Sequence, residues 1–330
     1  MSALAATSED VLTATERLAP HVIRTPLLEH RVLNERAGGR VLLKAESLQH
    51  TGSFKFRGAM HRLLRLTEAE RRAGVVAFSS GNHGQAVAAA GARLGIDVRI
   101  VMPDTAPAVK LERTRGWGAQ VTTYDPTGPR TRVEIAREIA CEEGRVLVPS
   151  YDDGDVIAGQ GSAGVEIFEE LSARNLRADA LLVCCGGGGL TAGCALARDA
   201  FESTATDLHT VEPADFDDHA RSFASGTREG NDPAARSICD ALLSPTPGDL
   251  TFPITHPRVK RGLSVSDDDV REAMRFAFDY LRVVLEPGGA VALAAVLAQR
   301  VPTADRVTVA LMSGGNVDPA LFASVISEAR

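Results

Sequence analysis

Of the 36 basic side chains in this 330-residue chain only four are lysines, Lys44, Lys55, Lys110 and Lys260. Any reaction that needs a lysine amine therefore has four candidates. Lys55 stands in a loop of small polar residues, between Phe54 and Phe56. Flanking aromatics desolvate an amine and favour its neutral form, which a Schiff-base lysine needs. Taken alone, the loop reads as well as a surface lysine with its stem on an apolar face.

Three further loops combine residue types that bind or react. Phe78-Ser79-Ser80-Gly81-Asn82-His83-Gly84-Gln85 follows a β-branched run and opens an amphipathic one. Backbone N–H groups at a helix start, with Ser and Asn side chains, suit a carboxylate or phosphate, although ordinary capping fits equally. His83 by itself is more often structural than catalytic. Cys184-Cys185-Gly186-Gly187-Gly188-Gly189 joins a buried apolar run to a helical pattern. Four consecutive glycines are costly in folding entropy, and close approach of backbone amides to a phosphate is the usual compensation. No Gly-Lys-Ser/Thr follows, so this is no nucleoside-triphosphate P-loop. Ser313-Gly314-Gly315-Asn316 closes the last β-branched run, where Ser313 serves as a helix cap or as a hydroxyl on the same sheet edge.

The elements that must carry these loops alternate. Strands are predicted at 41–45, 75–78, 98–102, 120–124, 146–148, 180–185, 208–212, 283–286 and 307–312, with helices over 85–94, 132–142, 156–173 and 268–281. Such alternation predicts an α/β fold of parallel, doubly wound sheets, with ligands outside the carboxyl ends of the strands. Residues 74–144 hold strand–helix repeats of their own. They read as a small α/β domain inserted into a large one formed by 1–73 and 145–330. The segment 222–249, rich in Ser, Gly, Pro, Arg and Asp, reads as a mobile loop.

Composition excludes some classes. A formal charge of -7 leaves a nucleic-acid surface only as a local patch. No apolar run reaches the roughly 18 residues of a membrane span. Residues 1–16 carry no basic residue, so no secretory signal is expected. The five cysteines, two of them adjacent, suit reduced thiols in a cytoplasmic protein, and no Cys/His group has zinc-ligand spacing. One competitor is concrete. Gly187-x-Gly189-x-x-Ala192, with Glu212 about 20 residues on, matches a dinucleotide fingerprint and would make the chain an NAD-dependent oxidoreductase. That reading leaves the Lys55 and Ser79–Asn82 loops unexplained.

Taken together, the loops resemble the serine/threonine dehydratase and serine racemase family, the tryptophan-synthase-β-like class (fold type II) of pyridoxal-phosphate enzymes. The resemblance rests on Ser53-Phe54-Lys55-Phe56-Arg57-Gly58-Ala59, on residues 79–85, on Gly186–Gly189 and on Ser313-Gly314-Gly315-Asn316. Thr25-Pro26-Leu27, Val156-Ile157-Ala158-Gly159-Gln160-Gly161 and Glu286-Pro287-Gly288-Gly289-Ala290 extend it over nearly the whole chain. It implies that Lys55 holds pyridoxal 5'-phosphate as a Schiff base, with Phe54 beside the ring and Asn82 on its phenolic oxygen. Gly186, Gly187, Gly188 and Gly189 would wrap the phosphate, and Ser313 would meet the pyridine nitrogen. Ser79, Ser80 and His83 would hold the substrate carboxylate. A serine at the pyridine nitrogen does not enforce protonation as an aspartate would, and so favours prompt loss of a β-leaving group.

The implied reaction is β-elimination of a β-hydroxy amino acid such as L-serine or L-threonine, with Lys55 as general base, giving a 2-oxo acid and ammonia. Serine racemisation, with Ser80 as the second base, and dehydration of 3-hydroxyaspartate are alternatives on the same fold. In the latter, Arg130 or Arg132 would meet a second carboxylate, though surface charge explains them as well. A sensor that kept the fold without catalysis is a third class. The resemblance also implies a divalent metal (Mg, Mn or Ca) on Glu212, the carbonyl of Phe216 and Asp218, which suits hard oxygen ligands. It implies a homodimer too. No regulatory domain, and hence no feedback inhibition by isoleucine, is expected.

Overall fold

Short aliphatic runs form ten strands: β1 (Leu27–Glu29), β2 (Arg40–Ala45), β3 (Val75–Phe78), β4 (Val98–Pro103), β5 (Gln120–Tyr124), β6 (Val146–Leu147), β7 (Ala180–Cys184), β8 (Asp207–Pro213), β9 (Arg261–Val265) and β10 (Val307–Met312). The computed structural model describes residues 4–79, 81–106 and 108–327, except the Val109 side chain. Two sheets result. One has six strands in the order β1-β2-β10-β7-β8-β9, the other four in the order β5-β4-β3-β6. Every pairing is parallel except β1 against β2. All residues of β7, and all but the first of β2 and β10, are buried. Central strands covered by helices on both faces read as unbroken apolar runs for this reason.

Helices cross between the strands. Gly154–Ala173 packs on both Gly189–Ala200 and Lys55–Leu64. Gly161 and Gly193 face each other so closely that a Cβ on either would meet the other's backbone. Glycine there is a packing requirement, and it brings the helix after the four-glycine loop hard against its neighbour.

Two predicted elements differ. Residues 283–286 form no strand. The Val283 amide donates to the Ala277 carbonyl and the Glu286 amide to Gly314, so these backbone groups are committed outside any ladder. Glu286 instead caps the helix Pro287–Leu297. The predicted helix 268–281 is α-helical over Asp267–Phe276 and then widens to a π-turn, Ala277–Leu281, ended by Arg282 at φ 59°. Two strands escape the sequence pattern, β1 with three residues and β9 with a glycine in it, and both are sheet edges. Residues 226–251 are largely irregular, with one short turn at Asp240–Leu242. Among the described residues no helix is long and apolar enough to cross a membrane.

Candidate active site

Parallel order places the carboxyl ends of β2, β10, β7 and β8 along one edge. The chain leaves β2 through two short turns and starts the helix Lys55–Leu64 on Lys55 itself. A bridge between Ser53 and Gly314, and the Phe54 amide donating to the Ser313 carbonyl (3.1 Å), tie this loop to the one after β10. The Lys55 amine lies 5.1 Å from the centre of the Phe54 ring and donates to the Ser150 carbonyl at 2.6 Å. Burial pulls its pKa down to about 8, against partial support from Cys184 and Glu286.

Around this amine the other loops converge. Asn82 opens the helix Asn82–Leu94 after β3 and donates to Glu286 Oε1 at 2.6 Å, while its own Oδ1 accepts from Asn316 Nδ2 at 2.7 Å. Burial raises Glu286 to about 7. Ser313 is buried at the end of β10, with its hydroxyl facing the Cys184 thiol of β7, which burial lifts to about 11. His83 is buried as well; its Nε2 donates to the Val148 carbonyl at 2.9 Å and Nδ1 has no partner. Burial, helped by Lys55, holds this ring neutral, with a pKa of about 3. Ser79 Oγ accepts from the Gly81 amide at 3.1 Å. Ser80 lies outside the described residues.

The four glycines turn from β7 into the helix Gly189–Ala200. Gly188 has φ +91°, and a Cβ there would stand 2.8 Å from both His219 Cε1 and Thr251 Oγ1. A Cβ on Gly187 would strike the Tyr151 ring. Tyr151 directly follows Ser150, the residue whose carbonyl holds Lys55. The loop thus presents backbone without side chains, packed by Tyr151, His219 and Thr251, and the Thr251 hydroxyl donates to the Gly187 carbonyl at 2.7 Å.

At the end of β8, Glu212 is fully buried and accepts from the backbone amides of His219 and Ala220, both at 2.9 Å. It faces this turn and not a ribose, as the dinucleotide reading would require. Burial, then the charge of Asp218, raises Glu212 well above the carboxylate range, and burial raises Asp218 to about 6. Asp218 Oδ1 accepts from Asn231 at 2.7 Å, and Oδ2 has no partner. Phe216 lies between the two acids in a short turn, its side chain buried. No group of three or more His, Cys, Asp or Glu side chains that could hold a metal occurs among the described residues.

Sequence reasoning gave no role to Tyr151, Glu286, Asn316 or His219. Asn316 and Glu286 lie inside motifs already noted, so their position was a usable signal. Nothing in the sequence marks Tyr151, whose place depends on how the loop after β6 folds back.

A sheet edge that joins a desolvated lysine to a glycine cradle defines a cofactor-dependent α/β enzyme. Residues 18–314 match the model of the pyridoxal-phosphate dependent enzymes, and the chain belongs to that family. Its relatives are ammonia-lyases and racemases. L-threo-3-hydroxyaspartate ammonia-lyase of Pseudomonas sp is 42% identical over 317 residues, 96% of this chain and 97% of that protein. Serine racemase of Schizosaccharomyces pombe is 38% identical, over 98% of each chain. The T.th. threonine deaminase crystal structure superposes with a TM-score of 0.88 at 41% identity, over 94% of this chain and 98% of that one. The chain is an enzyme of this type, with the mixed α/β architecture its sequence predicts.

Proposed function

We propose that the protein eliminates the β-hydroxyl of a small amino acid such as L-serine or L-threonine, releasing a 2-oxo acid and ammonia. The observation that carries this is the Lys55 amine, drawn toward neutrality beside the bare backbone of Gly186–Gly189. These residues fit pyridoxal phosphate: an amine whose pKa is drawn down to about 8 for its carbonyl, and a loop without side chains where a Cβ on Gly187, Gly188 or Gly189 would collide with its neighbours. When bound, that cofactor supplies an electron-withdrawing ring conjugated to the substrate's α-carbon. Lys55 then takes the α-proton on Nζ as general base. Phe54 would flank the ring, Ser313 would meet its nitrogen, and Asn82, oriented by Glu286 and Asn316, would donate an amide N–H to its phenolic oxygen. Ser79 and the helix start at Asn82 hold the substrate carboxylate. His83 contributes its backbone N–H there, since its ring N–H is spent on Val148. Ser80 is the residue for a second, racemising proton transfer.

The acidic pair fits a hard divalent cation, Mg, Mn or Ca. Asp218 Oδ2 is a buried carboxylate oxygen without a partner, and the Phe216 carbonyl would complete the set with Glu212. On the same reading residues 74–144 act as a small domain between the halves 1–73 and 145–330 of a large one. The assembly is a homodimer and the location cytoplasmic.

A second substrate has its own support. Arg130 is paired with Glu138 at 2.7 Å, but the Arg132 guanidinium lies 6.0 Å over the ring of Phe78, the residue before Ser79. On this reading it would meet the distal carboxylate of 3-hydroxyaspartate, and the Pseudomonas relative acts on that compound.

One preparation tests all of this. The purified protein should be yellow, and borohydride should fix the cofactor on the peptide that contains Lys55. Keto acid and chirality are then followed with L-serine, D-serine, L-threonine and the 3-hydroxyaspartate isomers. Arg132→Met should lower turnover of 3-hydroxyaspartate and spare serine. A colourless protein that binds NADH would overturn the proposal.

A further inference from the structure

The first turn of the Lys55–Leu64 helix is held in an unusual way. Its cap residue, Phe54, makes no side-chain hydrogen bond to the turn. A charge cluster beneath it takes that place. Arg57 is completely buried. Its Nε and Nη2 donate to Glu46 at 2.7 and 2.8 Å, and its Nη1 and Nη2 donate to Glu166 at 2.7 and 2.8 Å. All three guanidinium nitrogens are engaged by two carboxylates, one just past β2 and one on the helix Gly154–Ala173. Lys44, on β2, closes the cluster with bonds to Glu166 (2.5 Å) and the Thr25 carbonyl (2.8 Å). Thr25 Oγ1 donates to Glu46 at 2.5 Å. Two cations face two anions. Burial opposes the charge on Arg57, and Glu46 and then Glu166 outweigh it, holding the guanidinium above its ordinary value.

Stability alone does not ask for this arrangement. Each buried charge loses its hydration, and well-packed apolar residues of equal volume often stabilise a fold as well or better. What an apolar patch lacks is direction. A guanidinium fork fixes distance and plane at once, and a lysine ammonium does not. Arg57 follows Lys55 by two residues on the same helical turn, so any rotation of that turn moves both. The two lysines are also sorted. Buried Lys44 is paired with the Glu166 carboxylate, whereas half-buried Lys55 meets the Ser150 carbonyl.

We propose that Arg57 is a positioning residue for Lys55: its double clamp on Glu46 and Glu166 fixes the first helical turn and so the aim of the Lys55 amine. This deepens the reading of Lys55 as the cofactor lysine and rests on it.

The test strips the full-length protein of cofactor and follows its linkage to added pyridoxal phosphate. The readouts are borohydride trapping on Lys55, the pH midpoint of the visible band, and thermal unfolding. Arg57→Lys keeps the charge and loses the fork. The pair Arg57→Met with Glu46→Gln removes one cation and one anion, breaks both Arg57 ion pairs and keeps the Lys44–Glu166 pair. Both should unfold close to the wild-type temperature, yet link Lys55 roughly 10- to 100-fold more slowly, as sub-ångström misplacement of a reacting group predicts. Their pH midpoints should also move. Wild-type linkage rate and midpoint in either folded variant overturns the clamp. If only one variant folds, that one decides. Failure of both to fold also overturns it, because the cluster would then serve stability. A wild-type protein that fixes no cofactor on Lys55 overturns the underlying reading together with the clamp.

Discussion

In the role proposed for it, Lys55 must be neutral to condense with a carbonyl, yet a lysine in water is charged until pH 10.5. Burial beside Phe54 resolves the conflict by penalising the ammonium, and the Ser150 carbonyl supplies an acceptor without a compensating charge. The neutral fraction of the amine therefore rises through pH 8. Uptake of pyridoxal phosphate by the stripped protein should climb with that midpoint and level off above it. Stability follows with a definite sign. Between the depressed folded pKa of about 8 and the unfolded 10.5, the unfolded chain carries the extra proton, so stability rises with pH across that window. Lys55→Met should flatten this slope in pH-dependent unfolding and leave no borohydride-fixed cofactor. Loss of the general base alone lowers turnover by roughly 10²- to 10⁴-fold. A Lys55→Met protein that still traps cofactor on another lysine would redirect attention to Lys44, Lys110 or Lys260.

The loops that follow β2, β3, β7 and β10 were legible because their residues contradict the elements around them. Four glycines between a buried strand and a helix stand out for their cost in folding entropy, and a lysine between phenylalanines for its partial desolvation. Other features left no such trace. β1 and β9 are edge strands too short or too interrupted for a period-two pattern. The run 283–286 carries strand-forming residues, but its amides are taken by Ala277 and Gly314, partners that tertiary structure alone supplies. Tyr151 was invisible for the same reason. Within the glycine loop, position decides the effect of a side chain. Gly188→Ala must hold φ near +91°, a conformation that costs an L-residue on the order of 1–2 kcal/mol. Its Cβ would also press on His219 and Thr251, so it should lower the unfolding temperature by a few degrees, read by calorimetry. Gly187→Ala would put its Cβ within 2.4 Å of the Tyr151 ring, so the whole ring must leave its place. It should lower the unfolding temperature of the cofactor-free protein too, and the displaced ring should weaken cofactor affinity about tenfold, on the order of one charge-assisted bond, read by fluorescence titration.

Six strands and four strands fold from one chain so that the ends of β2, β7, β8 and β10 share an edge with the loop after β3, and the alternation of apolar runs foretold that much. The relation of the acids after β8 to this edge rests on tertiary contacts alone. Glu212 accepts the His219 amide, and the His219 ring lies against Gly188, so the acidic turn backs the glycine loop. Two buried carboxylates, both held above their ordinary pKa, are costly as anions unless protons or a cation neutralise them. Ligand binding to the folded state alone stabilises by RT ln(1 + [L]/Kd), about 2.7 kcal/mol at a hundredfold excess over Kd. Magnesium added to the chelator-treated protein should therefore raise its unfolding temperature by several degrees. Asp218→Asn keeps the shape and an oxygen to accept from Asn231, but removes the unpartnered oxygen's charge. It should unfold at or above the temperature of the metal-free wild type, because a buried charge is gone, and should gain nothing from magnesium. An equal magnesium shift in Asp218→Asn would place the ion elsewhere and leave Glu212 and Asp218 as a strained acidic pair that the fold tolerates.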